Sequence, residues 1–329
     1  MPGSVTSVFS ELDDFQDALH QDGVLSMLVT GHGQFRARLT QIVLHRLRLS
    51  VGEEELSRTT FVTVPADAVL VVLPIGGGPS PIWGGIAMQV HEILTLGPGQ
   101  RVHVRTDGPC RWGTIRLPAQ DLAAYGRALN GAGFAVPHLV ARWQPPPAAS
   151  RELRHLHLVA IRAAEARAAA IIDREAVHGL EQQLIEALVE CMSAGSTEEK
   201  VSAHRHREIL TRFEGLLQMQ PFLGVTEVCA ALGVADRTLH RCCEEHLGVS
   251  PGSYLRLHRM QQVQRALRGG NPDAATVAEA ARRCGVRHLG RFAAEYRVLY
   301  GELPSATLRR GADGGVTELR PERPRARFL

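Results

Sequence analysis

No stretch of this 329-residue chain approaches the ~20 uncharged apolar residues that a bilayer-spanning helix needs, so a membrane span of that kind is excluded. Glu11, Asp13 and Asp14 stand where a secretory signal needs an apolar core, and a cytoplasmic protein is expected. The six cysteines (Cys110, Cys191, Cys229, Cys242, Cys243 and Cys284) include no C-x-x-C pair and no disulfide-like spacing, which fits a reducing compartment. Gly76-Gly77-Gly78 lacks the Gly-Lys-Ser/Thr and the helix start of a phosphate loop, and reads as a hairpin loop. The chain carries no recognisable catalytic constellation, so neither an enzyme nor a cofactor is expected. A formal net charge of +3 is too small to imply a nucleic-acid partner by itself.

The distribution of charge says more than its total. Arg237, Arg241, Arg256, Arg259, Arg265, Arg268, Arg282, Arg283, Arg287, Arg291 and Arg297 crowd into the last third. Phosphate contact is made by one face, so a local excess of this kind points to nucleic acid. The same region repeats itself. Gly233-Val234, then Leu239 and Cys243, then Leu247-Gly248-Val249-Ser250-Pro251 make one pass. Gly285-Val286, then Phe292 and Tyr296, then Tyr300-Gly301-Glu302-Leu303-Pro304 make the second. Gly248 to Gly301 and Pro251 to Pro304 are the same step of 53 residues.

Before the repeats the pattern changes several times. Residues 11–20 predict a short helix. From Phe35 apolar and basic residues alternate with period two, as on a half-buried strand. Further β-rich runs lie at Phe61–Val64, Val69–Ile75, Ile86–Leu96, Arg101–Arg105 and Trp112–Leu117, separated by Gly/Pro turns. Short strands at this spacing predict a sandwich or small barrel. After Pro145-Pro146-Pro147 comes a stretch of good helix formers, residues 149–193, in which Leu180, Leu184, Ile185 and Leu188 share one face. That face suits either a dimer seam or packing against the β domain. The expected domains are an N-terminal segment 1–34, a β-rich domain 35–146, a helical connector 147–200, a DNA-binding domain 205–310 and a flexible tail 311–329.

Each repeat has the layout of a helix-turn-helix: a short apolar helix, a glycine turn and a second helix with an apolar stripe. Residues 226–232 make the first scaffold helix, Gly233 turns, and Asp236 or Thr238 is expected to cap the second helix. Leu239 and Cys243, four apart, point inward and leave Arg237, His240 and Arg241 outside. In the second copy Val277, Ala280, Ala281 and Cys284 pack the scaffold helix. Phe292 and Tyr296 anchor the reading helix, Arg287, His288 and Arg291 project from its first turns, and Gly290 allows close approach. Ser250 caps and Pro251 starts a long connecting helix to Arg268. Successive major grooves on one DNA face lie ~34 Å apart, a separation such a helix suits. Arginine supplies bidentate bonds to guanine, each worth ~1–3 kcal/mol of discrimination.

The segment from about Ile209 to Arg310 resembles the DNA-binding domain of AraC-type transcriptional regulators. The resemblance is carried by His288-Leu289-Gly290-Arg291-Phe292-Ala293-Ala294-Glu295-Tyr296-Arg297 and by Tyr300-Gly301-Glu302-Leu303-Pro304-Ser305. It implies a seven-helix domain with two helix-turn-helix units joined by a long helix. It also implies base contacts from Arg237, His240 and Arg241, and from Arg287, Gly290 and Arg291. The chain departs from the family at Val286, where an aromatic is usual, at Cys243, where a bulkier apolar group is usual, and at Ala235, where a capping serine is common. Arg287 replaces a residue that is often apolar.

The expected fold is therefore α+β: a jelly-roll or cupin-like sensor domain, a helical connector and an all-α reader. The expected DNA contacts are Arg237, Thr238, His240, Arg241, Arg287, His288, Gly290 and Arg291. Double-stranded DNA is the expected partner, with a small-molecule effector, a homodimer and, by the resemblance, the transcription machinery. A non-specific nucleic-acid binder and a β-barrel enzyme fused to a reader are the alternatives. No metal is expected. His155-x-His157 and His204-x-His206 lie in helical stretches, where positions two apart face different ways. His91-Glu92 and His103 lack the paired-histidine pattern of metal-binding cupins and read as surface residues. Cys242-Cys243 reads as core, and Trp83, Trp112 and Trp143 read either as core or as the lining of a ligand pocket.

Overall fold

A computed structural model describes residues 3–76, 79–131, 133–166, 174–194, 196–198, 201–269, 276–286 and 288–312. The chain divides into two compact units, Met1–His258 and Arg259–Leu329. The division falls inside a helix, Pro251–Arg268, and not near residue 200 where the domain boundary was expected.

The first unit opens with β1 (Gly3–Phe9), α1 (Leu12–Ala18), a 3-10 turn at His20–Asp22, β2 (Val24–Val29), β3 (Ala37–Val43) and β4 (Arg48–Glu54). It continues with β5 (Arg58–Thr63), β6 (Ala68–Pro74), β7 (Ile82–Trp83), β8 (Ile93–Leu96), β9 (Arg101–Thr106) and β10 (Cys110–Pro118). Then come α2 (Ala119–Asn130), β11 (Val140–Gln144), α3 (Pro147–Glu165), α4 (Arg174–Ala194) and β12 (Ser196–Glu198). The helices α5 (Val201–Met219), α6 (Val225–Leu232) and α7 (Asp236–Leu247) lead into α8 (Pro251–Arg268). The second unit holds the end of α8 with α9 (Val277–Arg283), α10 (Leu289–Tyr300) and α11 (Pro304–Ala312).

Two antiparallel sheets form the β domain, one ordered β1-β3-β4-β10-β6-β8-β11-β12 and one ordered β2-β5-β9-β7. The apolar run of β6 explains the layering. All of Ala68–Pro74 is buried, because both faces of the large sheet are covered. Val69, Val71 and Leu73 pack into a core with α2, α3 and α4, while Ala68, Leu70 and Val72 pack into the core between the sheets. The small sheet turns its other face to the helices: Leu28 joins a third core with Ile209, Leu210, Phe213 and Leu239. The first unit is thus four layers deep, from α3 and α4 through the two sheets to α5 and α7.

Several expectations are corrected by this arrangement. Residues 1–34 are no mere leading segment, because β1 pairs with β3 and β2 with β5. The linker expected at Gly195–Lys200 contains β12, which pairs with β11. The strand expected over Ile86–Leu96 is confined to Ile93–Leu96, since Gln89–Glu92 closes a turn in which the Glu92 carboxylate accepts from Gln89 N at 2.9 Å. Of the two placements open to the leucine face, packing against the β domain is the one found: Leu184, Ile185 and Leu188 are buried in a core with Val69, Val71 and Leu73. The tail from residue 313 onward lies outside the described residues, as do Gly77 and Gly78 of the expected hairpin loop. Among the described residues no helix is long and apolar enough to cross a membrane.

Candidate nucleic-acid interface

The first helix-turn-helix is α6, Gly233 and α7. Gly233 takes φ 67°, the left-handed conformation that ends α6, and Val234 N donates to the Cys229 carbonyl at 3.1 Å. Leu239, Cys242, Cys243, His246 and Leu247 form the buried stripe of α7. Burial pushes the Cys242 thiol up to about 11 and raises that of Cys243 further, so both are protonated packing groups. The N-terminal residue flanking α7 is Ala235, with no side-chain cap, so neither Asp236 nor Thr238 caps it as expected. Asp236 lies one position too far along, inside the first turn.

The outer face of α7 is graded along its length. Arg237 and Arg241 are exposed, Thr238 and His240 half-buried, and Glu244 and Glu245 occupy the C-terminal half. Its N-terminal half carries Arg237 and Arg241 beside Asp236 and has no side-chain cap. His240 Nδ1 donates to the Asp236 carbonyl at 3.2 Å.

The other end of α7 is anchored on the small sheet. The Thr59 hydroxyl donates to the Leu247 carbonyl at 3.0 Å, satisfying one of the carbonyls a helix leaves open at its C-terminus. Gly248, at φ 72°, lies so close to Arg105 that an added Cβ would stand 2.5 Å from its Nη1. Beside this contact is a buried polar junction. Glu214 of α5 accepts from His103 Nε2 of β9 at 2.9 Å and from the Tyr254 hydroxyl of α8. Burial would raise the Glu214 carboxyl, but the bonds from His103 and Tyr254 and the charge of His258 hold it below its ordinary value. His103 is therefore a buried junction residue stacked on Phe61, not the surface histidine expected.

The turn after β7 completes the junction. An added Cβ at Gly84 would stand 3.0 Å from Arg207 Cδ, and one at Gly85 would stand 3.0 Å from the His246 ring. Burial, then the positive charge of His103, His206, Arg207 and Arg105, pushes His246 down to about 3. Trp83, just before the glycines, lines a cavity between the sheets together with Leu19, Val24, Met27, Leu70 and Trp112. The buried Trp83 Nε1 has no hydrogen-bond partner. Trp143 is not part of this cavity and donates to Thr95 Oγ1 at 2.8 Å.

The second helix-turn-helix belongs to the second unit. Thr276 caps α9: Glu279 N donates to Thr276 Oγ1 at 3.2 Å while Thr276 N donates to Glu279 Oε2 at 2.8 Å. The Thr-x-x-Glu spacing is the sequence signature of such a capping box. Cys284 is the residue that ends α9 and is only half-buried, and Gly285 turns at φ 77°. Phe292, Tyr296 and Leu299 anchor α10, and the Tyr296 hydroxyl bonds Thr307 Oγ1 at 2.8 Å. His288, Gly290 and Arg291 are exposed, while Arg287 lies outside the described residues. Arg291, 76% exposed, donates from Nε to Glu295 Oε1 at 2.7 Å. A Cβ on Gly290 would meet nothing within 4 Å, so packing within the fold does not demand glycine there.

A helix-turn-helix domain family matches residues 228–310. The XylDLEGF operon transcriptional activator of Pseudomonas putida is 37% identical over 76 residues, 23% of this chain and 24% of that protein. The probable thc operon regulatory protein of Rhodococcus erythropolis is 38% identical over 87 residues, 26% of each chain. The chain thus matches about a quarter of the length of these relatives. The AraC-like transcriptional activator CuxR covers 87% of this chain with 100% of its own, at 15% identity and a TM-score of 0.41, a likeness too loose to carry a functional conclusion. Residues 228–310 thus form a helix-turn-helix domain similar to those of bacterial operon regulators.

Proposed function

We propose that the chain is a sequence-specific regulator of transcription whose reading helices, α7 and α10, enter successive major grooves of one DNA site. The observation that carries this is the repeated exposure of basic and small residues on the first turns of two glycine-turned helices. Arg237, Thr238, His240 and Arg241 make the contacts of the first unit, and Arg287, His288, Gly290 and Arg291 those of the second. Arginines reach guanine edges, while His240 Nε2 offers an acceptor to an exocyclic amine.

The β domain acts as the sensor. Its effector is a small, largely apolar molecule with one hydrogen-bond acceptor, because the cavity walls are mainly apolar and Trp83 Nε1 is an unused buried donor; at about 30 Å³ the cavity must widen to admit it. The Arg58 guanidinium there is already engaged by Glu54, so no free cation awaits an anionic ligand. A shift of Trp83 moves Gly84 and Gly85, which bear on Arg207 and His246, and so reaches α5 and α7. This contact route supports effector control of the first reading helix.

The test is a selection of duplexes from a random pool by the full-length protein at fixed salt. Two short preferred blocks about one helical turn apart are expected. Binding that is blind to sequence and varies only with salt would overturn the reading.

A further inference from the structure

The junction holds a cluster of ligating side chains that DNA reading does not use. His206 projects from α5, and Glu245 and His246 are adjacent on the last turns of α7. One ligand atom from each lies within 4.8 Å of the other two. His206 Nδ1 stands 2.7 Å from Glu245 Oε2, and the rings of His206 and His246 meet edge to face at 5.9 Å between centroids. Both histidines are buried, and His246 Nδ1 has no hydrogen-bond partner. Glu245 is 49% exposed, so the cluster has an entry from solvent.

We propose that His206, Glu245 and His246 bind a divalent transition-metal ion of the zinc class. Two imidazoles and one carboxylate are the donors that zinc and its neighbours take, whereas magnesium and calcium require a shell of oxygens. Zinc bonds to nitrogen and oxygen are about 2.0–2.2 Å, so three donors already this close need only side-chain adjustment to surround one ion. Three protein ligands leave a fourth position for water on the open side. The nearby positive charges, Arg207 and Arg105, disfavour a cation, which makes the Glu245 carboxylate the indispensable ligand. The pair His204-x-His206 does split, as helix geometry requires, but His206 finds its co-ligands on another helix. A bound ion ties α5 to the C-terminal turns of the first reading helix.

The test uses the full-length protein and Co2+ as the probe, read by its visible absorption, followed by displacement with Zn2+. One Co2+ per chain with the intense bands of a tetrahedral site is expected. Glu245→Gln keeps size and leaves a half-exposed position, so folding is retained, and His206→Gln is the second variant. Loss of an outer-shell partner weakens metal sites by about 10–100-fold, so loss of either direct ligand should raise the Co2+ dissociation constant at least tenfold. The chain has 15 histidines, and His204→Ala, exposed and outside the cluster, controls for surface binding by retaining wild-type affinity. No tetrahedral spectrum, or a spectrum that survives both Glu245→Gln and His206→Gln, would overturn the site.

Discussion

Replacing Glu214 by leucine tests whether the junction between the small sheet and the first reader is held by hydrogen bonding or only by apolar contact. The buried carboxylate accepts from His103 Nε2 at 2.9 Å and from the Tyr254 hydroxyl, both through Oε1. Leucine is similar in size but accepts nothing, so two buried donors lose their partner. Each such loss costs about 1–3 kcal/mol, and relief of the carboxylate's desolvation offsets part of the sum, which leaves roughly 2–4 kcal/mol. Glutamine keeps an oxygen at Oε1 and loses only the charge, for roughly 1 kcal/mol net. The assay is urea unfolding of the full-length chain, followed through Trp83 and Trp112, which lie in the same unit. The midpoint should fall clearly further for Glu214→Leu than for Glu214→Gln. Equal midpoints, or a leucine variant more stable than the glutamine one, would refute the hydrogen-bond account. The pH dependence follows from the lowered carboxyl. Its stabilising contribution is present above the ordinary value of 4.5 and is lost as pH falls through the lower folded-state value. Wild type and Glu214→Gln should therefore converge in acid and separate toward neutrality.

Other consequences are local. Thr276→Ala removes both bonds that involve the Thr276 hydroxyl at the start of α9 and should cost about 1 kcal/mol, read as faster amide exchange across Val277–Arg283; unchanged exchange would count against the cap. Gly233→Ala meets open space but must hold φ 67°, so about 1–2 kcal/mol of backbone strain is expected as a lower melting temperature. On DNA, Arg241→Ala should relax preference at one position, whereas Arg256→Ala, if it touches phosphate, should weaken all sequences alike, as competition against mismatched duplexes would show.

The helix-turn-helix units were more legible in the sequence than the β domain. Gly233, Gly285, Leu239, Phe292 and Tyr296 announce themselves because turn and anchor recur at fixed spacing within a few helical turns. The first two strands were missed for different reasons. β1 is an edge strand with mostly exposed residues, so Gly3–Phe9 shows no apolar alternation. β2 is a short apolar run, and periodicity alone does not separate such a run from a helix. The leucine face of α4 was visible, but what covers it is set by the outer face of a sheet formed elsewhere. The junction was invisible in principle: His103 and Glu214 lie 111 positions apart, and His206 and Glu245 39. Only the fold brings those pairs together, and a histidine in a strand pattern carries no sign of its partner.

The most direct test of the central claim, that both helices read bases, is to repeat the duplex selection with Arg241→Ala and with Arg291→Ala. Each variant should keep one preferred block and lose definition in the other, and the two variants should affect different blocks. Loss of definition in the same block for both, or an unchanged motif with Arg291→Ala, would contradict it.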